Sequence, residues 1–258
     1  MTVRKSVVVD CFPESAARYR DGYAVVAIDV IRSTTMAISA AAAGRRCFPV
    51  PTLEAAHALA RKLDNPILAG ELAGDVPDGF EMNNSPVDLA ARKDIHRPLI
   101  LLSSSGSQLI WEAGQCESAY LACFRNSTAL TNYLAGRHRR IAVIGAGSRG
   151  EFREEDQICC AWIAGGLMSR GYEPQDEKTA EIAGRWRNAP LSACLPSNSV
   201  RYLRKTGQLK DLDFIFAHLD DLDSTFVLRN GEVDLIPAIP EIAIEAGKEP
   251  AERVFSAA

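Results

Sequence analysis

Four kinds of chemistry have little to work with in this sequence. The seven cysteines (Cys11, Cys47, Cys116, Cys123, Cys159, Cys160 and Cys194) are odd in number and contain no C-x-x-C pair. That pattern argues against a disulfide framework or a zinc site and for reduced, mostly buried thiols in a cytoplasmic protein. The four histidines (His57, His96, His138 and His218) make no H-x-x-x-H pair and are expected to be ordinary side chains. Positive charge is not in excess: 29 Lys and Arg against 33 Asp and Glu leave a net charge of −4, which argues against DNA or RNA as a partner. No apolar run approaches the roughly 20 residues of a membrane span. The start, MTVRKSVVVDCF, has only a three-valine run and is not expected to be a signal peptide.

What remains is a chain of 258 residues, 47% hydrophobic and 24% charged, the balance of an ordinary globular protein. Short apolar runs alternate with helical patterns: AVVAIDVI (24–31), CFPV (47–50), PILAG (66–70), PLILL (98–102), SAYLA (118–122) and RIAVIG (140–145). This repetition predicts an α/β fold, a mostly parallel sheet with helices on both faces. Right-handed crossovers then put the strand-to-helix turns on one edge of the sheet. After about residue 170 the texture changes. Two polar helices, a strand over LDFIFAHL and a hairpin turning at Asn230-Gly231 are expected there. The organisation expected is a main α/β domain over 1–170, a smaller C-terminal α+β portion over 171–245, and a loosely held tail over 246–258.

Ligands of open parallel sheets bind beyond the carboxyl ends of the strands. Polar clusters fall at several such ends. In DVIRSTT, Ser33 or Thr34 can cap the next helix, but capping explains neither Asp29 inside an otherwise apolar strand nor the neighbouring Arg32. In GELAGDVPDGFEMNNSP, Glu71 follows a strand directly, and the loop to Asn84 and Ser85 is long for a mere connection. In LLSSSGSQLI, Ser104, Ser105, Gly106 and Ser107 open a helix, where hydroxyls and bare amides make an anion site. Arg125 and Asn126 end the next strand, and the arginine can neutralise that anion.

The last cluster, VIGAGSRGEFREED, matches the dinucleotide fingerprint through Gly145, Gly147 and Gly150. Its context is wrong, because a polar segment follows where a second strand with an acidic end is needed. A nicotinamide site is therefore rejected. Glu154, Glu155 and Asp156 suit the positive end of a helix, yet three acids exceed what a helix start needs. With Asp29 they offer the oxygen ligands that Mg²⁺ favours.

In order and spacing these loops resemble the motifs of the magnesium-dependent 2-phosphosulfolactate phosphatases of the ComB type. DVIRSTT is similar to that family's D-V-x-R-A/S-T-T, GEL…GFEMNNSP to its G-E…G-F-D-x-G-N-S-P, and FRN to its R-N pair. LLSSSGS takes the place of T-T-N-G-T, and GAGSRGEFREED that of C-A-G…G-x-x-x-x-E-D. A weaker likeness covers SVRYLRKTGQLKDLDF (199–214). Asp29, Arg32, Glu71, Asn84, Arg125, Glu155 and Asp156 keep the family's residue. Glu81 stands in place of aspartate, Asn83 of glycine, Ser105 of asparagine and Gly145 of cysteine.

The resemblance implies a Mg²⁺-dependent phosphatase acting on a small phosphomonoester, of the 2-phosphosulfolactate or 2-phospho acid kind. Asp29, Glu155 and Asp156 would hold the metal, and with Arg32 and Glu71 would form the catalytic set. Ser33, Thr34, Asn84, Ser85, Ser104, Ser105, Gly106, Ser107, Arg125, Asn126 and Gly147 would bind substrate. The expected partner is a small anionic substrate, with neither nucleic acid nor membrane, and self-association into a homo-oligomer is left open. The substituted loops keep two alternatives: a relative performing elimination or transfer on a small anion, and a non-catalytic binder.

Overall fold

The computed structural model describes residues 4–238; the tail expected at 246–258 lies outside them. The short apolar runs become strands in the expected places. These are β1 (Ser6–Cys11), β2 (Ala24–Ile28), β3 (Cys47–Val50), β4 (Ile67–Gly70), β5 (Leu99–Leu102), β6 (Ser118–Ala122) and β7 (Arg140–Gly145). A two-residue strand β8 (Glu173–Pro174) and the hairpin β9 (Thr225–Arg229) and β10 (Glu232–Ile236) complete the set. Asn230 and Gly231 both have positive φ, as a two-residue hairpin turn with the right twist requires.

The helices between them are α1 (Ser33–Ala42), α2 (Leu53–Ala60), α3 (Pro86–Ala90), α4 (Gly106–Ala113), α5 (Ser127–Leu134) and α6 (Glu154–Met168). After these come α7 (Glu177–Trp186), α8 (Asn198–Lys205) and α9 (Leu209–Ala217).

The parallel strands do not form the single sheet that their spacing suggested. A seven-stranded sheet runs β10-β9-β6-β2-β7-β1-β8, parallel except for the hairpin at its edge, and a separate parallel sheet runs β3-β5-β4. The reason lies in α1 and α4, which contact both sheets. The alanine-rich α1 has Met36, Ala37, Ile38 and Ala40 buried, and it packs with Leu109 and Ile110 of α4 against Val25 and Ala27 on one side and Leu99 and Leu101 on the other. A helix apolar on nearly every side is one built to be covered. The opposite face of the large sheet is covered by α5, α6 and α7, and that of the small sheet by α2. Truncating a fully buried side chain in these layers, Leu101→Ala for instance, costs about 2–5 kcal/mol.

Register aligns the carboxyl ends. Ile28 pairs with both Ala122 and Gly145, Cys11 pairs with Gly145, and Leu102 pairs with both Val50 and Gly70. The loops that follow β2, β4, β5 and β7 therefore open toward a common cleft. Two expectations differ from the structure. Residues 212–217 of the segment LDFIFAHL are helical, within α9, because Asp211, Leu212 and Ile215 are buried at helical rather than alternating spacing. And β2 stops at Ile28, so Asp29 stands just past the strand rather than inside it.

Candidate active site

Asp29 is fixed by its own loop. Thr34 Oγ1 accepts from Asp29 N–H at 3.0 Å and donates to Asp29 O at 2.8 Å, and Ser33 N–H donates to Asp29 Oδ1 at 3.3 Å. Thr34 thus ties the loop into the start of α1, while Ser33 Oγ donates to Ser103 Oγ at 2.7 Å and joins the loops of the two sheets. Opposite lies the start of α4, where Gly106 leaves no room for a side chain as the loop stands: a Cβ there would lie 2.0 Å from Asp29 Oδ2.

The acids at the start of α6 divide. Glu155 and Asp156 are buried and line the cleft, while Glu154 does not. Asp156 accepts from Val30 N–H at 2.9 Å and Gly147 N–H at 3.4 Å. Glu155 is 1% exposed, and its Oε2 has no hydrogen-bond partner among the described residues. Burial pushes the Asp29 carboxyl up to about 6, hydrogen bonds from Ser33 oppose the rise, and Glu71 and Glu155 add to it. Asp156 is raised by burial and then by Asp29 and Glu155; Glu155 is raised chiefly by burial.

Acids crowded in this way hold protons or a cation. Among the described residues no three His, Cys, Asp or Glu side chains converge into a ready-made metal cage. Mg²⁺ does not need one, since it is held by one or two carboxylates, waters and substrate phosphate. Asp29 and the unpartnered Glu155 Oε2 fit that demand.

Glu71 leaves β4 beside β5, its N–H donating to Leu102 O at 3.0 Å. Its carboxylate accepts from Ser104 N–H at 2.8 Å, Ser104 Oγ at 3.0 Å and Gly74 N–H at 2.7 Å. It therefore shapes the serine loop, and Ser104 and Ser105 line the cleft in front of α4. Ser107 turns inward, exchanging hydrogen bonds with Ser103. Asn84 reaches the cleft, whereas Ser85 caps α3 and donates to Asp211 Oδ1 at 2.6 Å.

Arg125 is not brought to the cleft. Its guanidinium donates to Asp221 at 3.0 and 2.6 Å and to Ser39 Oγ at 2.8 Å, and it stacks over Phe214. Asn126 is held within its own loop by Cys123 N–H and Leu121 O. Glu81, one of the substituted positions, also lies outside the cleft and pairs with Arg97 and Arg92.

The resulting cleft has a volume of about 860 Å³. Sequence reading missed one of its walls. Arg201, Tyr202 and Lys205 of α8 face it, with Arg149, Glu151 and Arg153 from the loop after β7. Tyr202 Oη donates to Gly74 O at 2.7 Å, which closes α8 against the 70–86 loop. The available signal was the i, i+4 spacing of Arg201 and Lys205, which places both on one helical face. Five acids (Asp29, Glu71, Glu151, Glu155 and Asp156) and five cations (Arg32, Arg149, Arg153, Arg201 and Lys205) line the cleft. Arg149, Arg201 and Lys205 are exposed, whereas Asp29, Glu155 and Asp156 are buried. The arrangement suits a ligand that carries negative charge toward the cationic wall and shares a cation with the buried carboxylates.

Comparison with known proteins points the same way. A model of the family described as 2-phosphosulpholactate phosphatase matches residues 11–231. A protein of Pseudothermotoga lettingae named probable 2-phosphosulfolactate phosphatase is 32% identical over 196 residues, covering 73% of this chain and 82% of the relative. A protein of the same name from Symbiobacterium thermophilum is 31% identical over 232 residues, 85% of this chain and 92% of the relative. One from Carboxydothermus hydrogenoformans is 30% identical over 214 residues, 82% and 88% respectively.

Proposed function

The chain belongs to the 2-phosphosulpholactate phosphatase family, and on that premise we propose that it is a phosphoric monoester hydrolase whose substrate is a small 2-phospho acid of the 2-phosphosulfolactate kind, with Mg²⁺ as cofactor. The observation that carries this reading is the charge make-up of the cleft. Buried carboxylates, one of them with an unpartnered oxygen, line it together with the exposed cations Arg149, Arg201 and Lys205.

Asp29, Glu155 and Asp156 are the residues that would hold the cation. When bound there it withdraws charge from the phosphoryl oxygens. Ser105 offers its hydroxyl at the start of α4, whose first-turn amides lack partners within the helix, so the loop binds phosphoryl oxygens. Glu71 keeps that loop in shape by accepting from Ser104 and Gly74. Fixed donors of this kind favour the charge that develops as the phosphoryl group passes to water. A water oxygen bonds to phosphorus, the ester P–O bond breaks, and the leaving alkoxide takes up the proton that the attacking water gives up. Arg149, Arg201 and Lys205 hold the substrate's second acid group. The described cysteines are all free, which supports work in the reducing cytoplasm.

The test is phosphate release from a panel of small phosphomonoesters, with and without a second acid group, in Mg²⁺ and in EDTA. Metal-dependent release that favours the two-acid esters is expected, and Asp29→Asn should abolish it while the protein stays folded. Release that is indifferent to EDTA, or unchanged in the variant, would remove the metal and Asp29 from the reaction. No release from any ester by folded protein would overturn the hydrolase reading.

A further inference from the structure

Arg32 stands three residues from Asp29 and lines the cleft, yet protein acceptors hold most of its guanidinium. One terminal nitrogen donates to Asp211 and Gln208. The other donates to Asn83 Oδ1 at 3.1 Å and Asn84 Oδ1 at 2.8 Å. The Arg32 and Asp211 side chains are 3% and 0% exposed. Asp211 is itself fixed, its Oδ1 accepting from Ser85 Oγ at 2.6 Å and Val87 N–H at 3.4 Å. The acceptors around this guanidinium come from the 70–86 loop and from the α8–α9 segment, so the planar fork is held from two directions.

A buried ion pair is weak support for a fold, because desolvating both charges offsets much of their attraction, and an apolar pair of the same volume serves a core as well. What the pair supplies is a fixed place and an offset charge for the arginine. An unrestrained arginine beside a phosphate clasps it with its fork in the ground state as firmly as in the transition state. Such uniform binding lowers KM without raising kcat.

We propose that Asp211 is a positioning residue of the cleft: with Gln208 it holds one terminal nitrogen of Arg32 away from the substrate, so that the arginine acts on the phosphoryl group only from a fixed orientation. This rests on the phosphatase reading above. In Asp211→Asn the amide keeps an acceptor for Ser85 but can turn an N–H toward the guanidinium, and Arg32 is released into the cleft.

The experiment compares the full-length wild type with Asp211→Asn and Asp211→Glu in steady-state turnover, and measures inorganic phosphate affinity by calorimetry. Expected in Asp211→Asn is a fall in kcat of about ten-fold or more, with KM unchanged or lower and phosphate bound more tightly. Asp211→Glu, which restores the charge, should recover part of kcat. In an Arg32→Gln background Asp211→Asn should cost nothing further in kcat, because its partner is already gone. Wild-type kcat in Asp211→Asn, a raised KM with weakened phosphate binding, or a further loss in the Arg32→Gln background would each overturn the assignment; a purely structural role predicts such outcomes. If Asp211→Asn does not fold, Ser85→Ala loosens Asp211 while keeping its charge. The same split of kcat from KM supports the proposal there, and unchanged constants overturn it. If the wild type hydrolyses no ester, the phosphatase reading fails by itself, and phosphate affinity decides Asp211: tighter binding in the variant keeps it and unchanged or absent binding removes it.

Discussion

Gly106→Ala sets two physical effects against each other at one atom. Gly106 opens α4, and alanine is a better helix former by as much as about 1 kcal/mol. Propensity alone therefore predicts a more stable protein. The added Cβ, however, would lie 2.0 Å from Asp29 Oδ2, 2.5 Å from Ser33 Cβ and 2.6 Å from Ser33 Oγ, where ordinary contact begins at 3.4 Å. Neither neighbour can yield easily. Asp29 is bonded to Ser33 and Thr34, and Ser33 Oγ to Ser103. Overpacking of this kind costs about 1–3 kcal/mol and should win. The net loss lowers Tm by roughly 2–8 °C for a domain of this size. The carboxylate must retreat by about 1 Å or more, and a misplacement of that size costs on the order of 100-fold in rate. Thermal unfolding by circular dichroism and phosphate release measure the two effects separately. A variant with raised Tm and activity within a factor of two of wild type would refute the reasoning, because Asp29 would then not be held against the start of α4.

Two further outcomes follow from the same geometry. The Asp29 carboxyl, pushed up to about 6 from an ordinary 3.8, keeps a proton in the native state that the unfolded chain has already released. Its contribution to stability must therefore fall as pH rises from about 4 to about 6, by on the order of 2–3 kcal/mol. Urea midpoints of wild type minus those of Asp29→Asn isolate it from Asp94, Glu151 and Asp221, whose carboxyls are lowered and act in the opposite sense. Stabilisation by Mg²⁺ should grow over the same window, and a pH-independent difference would sink the idea. Arg201→Ala removes an exposed cation of the cleft wall, so stability should change by no more than about 0.5 kcal/mol. KM for an ester with a second acid group should rise about ten-fold, and that for a simple monoester less than about two-fold; equal changes for both would remove Arg201 from recognition of that acid.

Much of the fold was legible because it rests on local signals. CFPV and SAYLA became strands residue for residue, and Asn230-Gly231 turned the hairpin as expected. The split into two sheets was not legible, since the apolar runs carry no mark of which neighbour they pair with. The helix over LDFIFAHL was misread because a short run rich in Phe and Ile satisfies either period. At the site, Asp29, Glu155 and Asp156 could be singled out as acids at strand or helix ends. Arg125 shows the limit. Its partner Asp221 stands 96 residues away, and no spacing in the sequence announces that its fork is already engaged. The same holds for Asp211, 179 residues from Arg32.

The position of Asp211 late in the chain has a consequence in time. Domains form N-terminal first as a chain is synthesised, at about 5–20 residues per second. When α6 has left the ribosome, Asp29, Glu71 and Glu155 are all present, with β2, β4 and α6 that position them, but Arg32 has no counter-ion. The stretch from the end of α6 to Asp211 takes several seconds more. Until α8 and α9 dock, the cleft lacks its Arg201 and Lys205 wall and one charge in its side remains uncompensated. A chain that ends before α8 therefore carries Asp29, Glu71 and Glu155 but neither the Arg201 and Lys205 wall nor the carboxylate that holds Arg32.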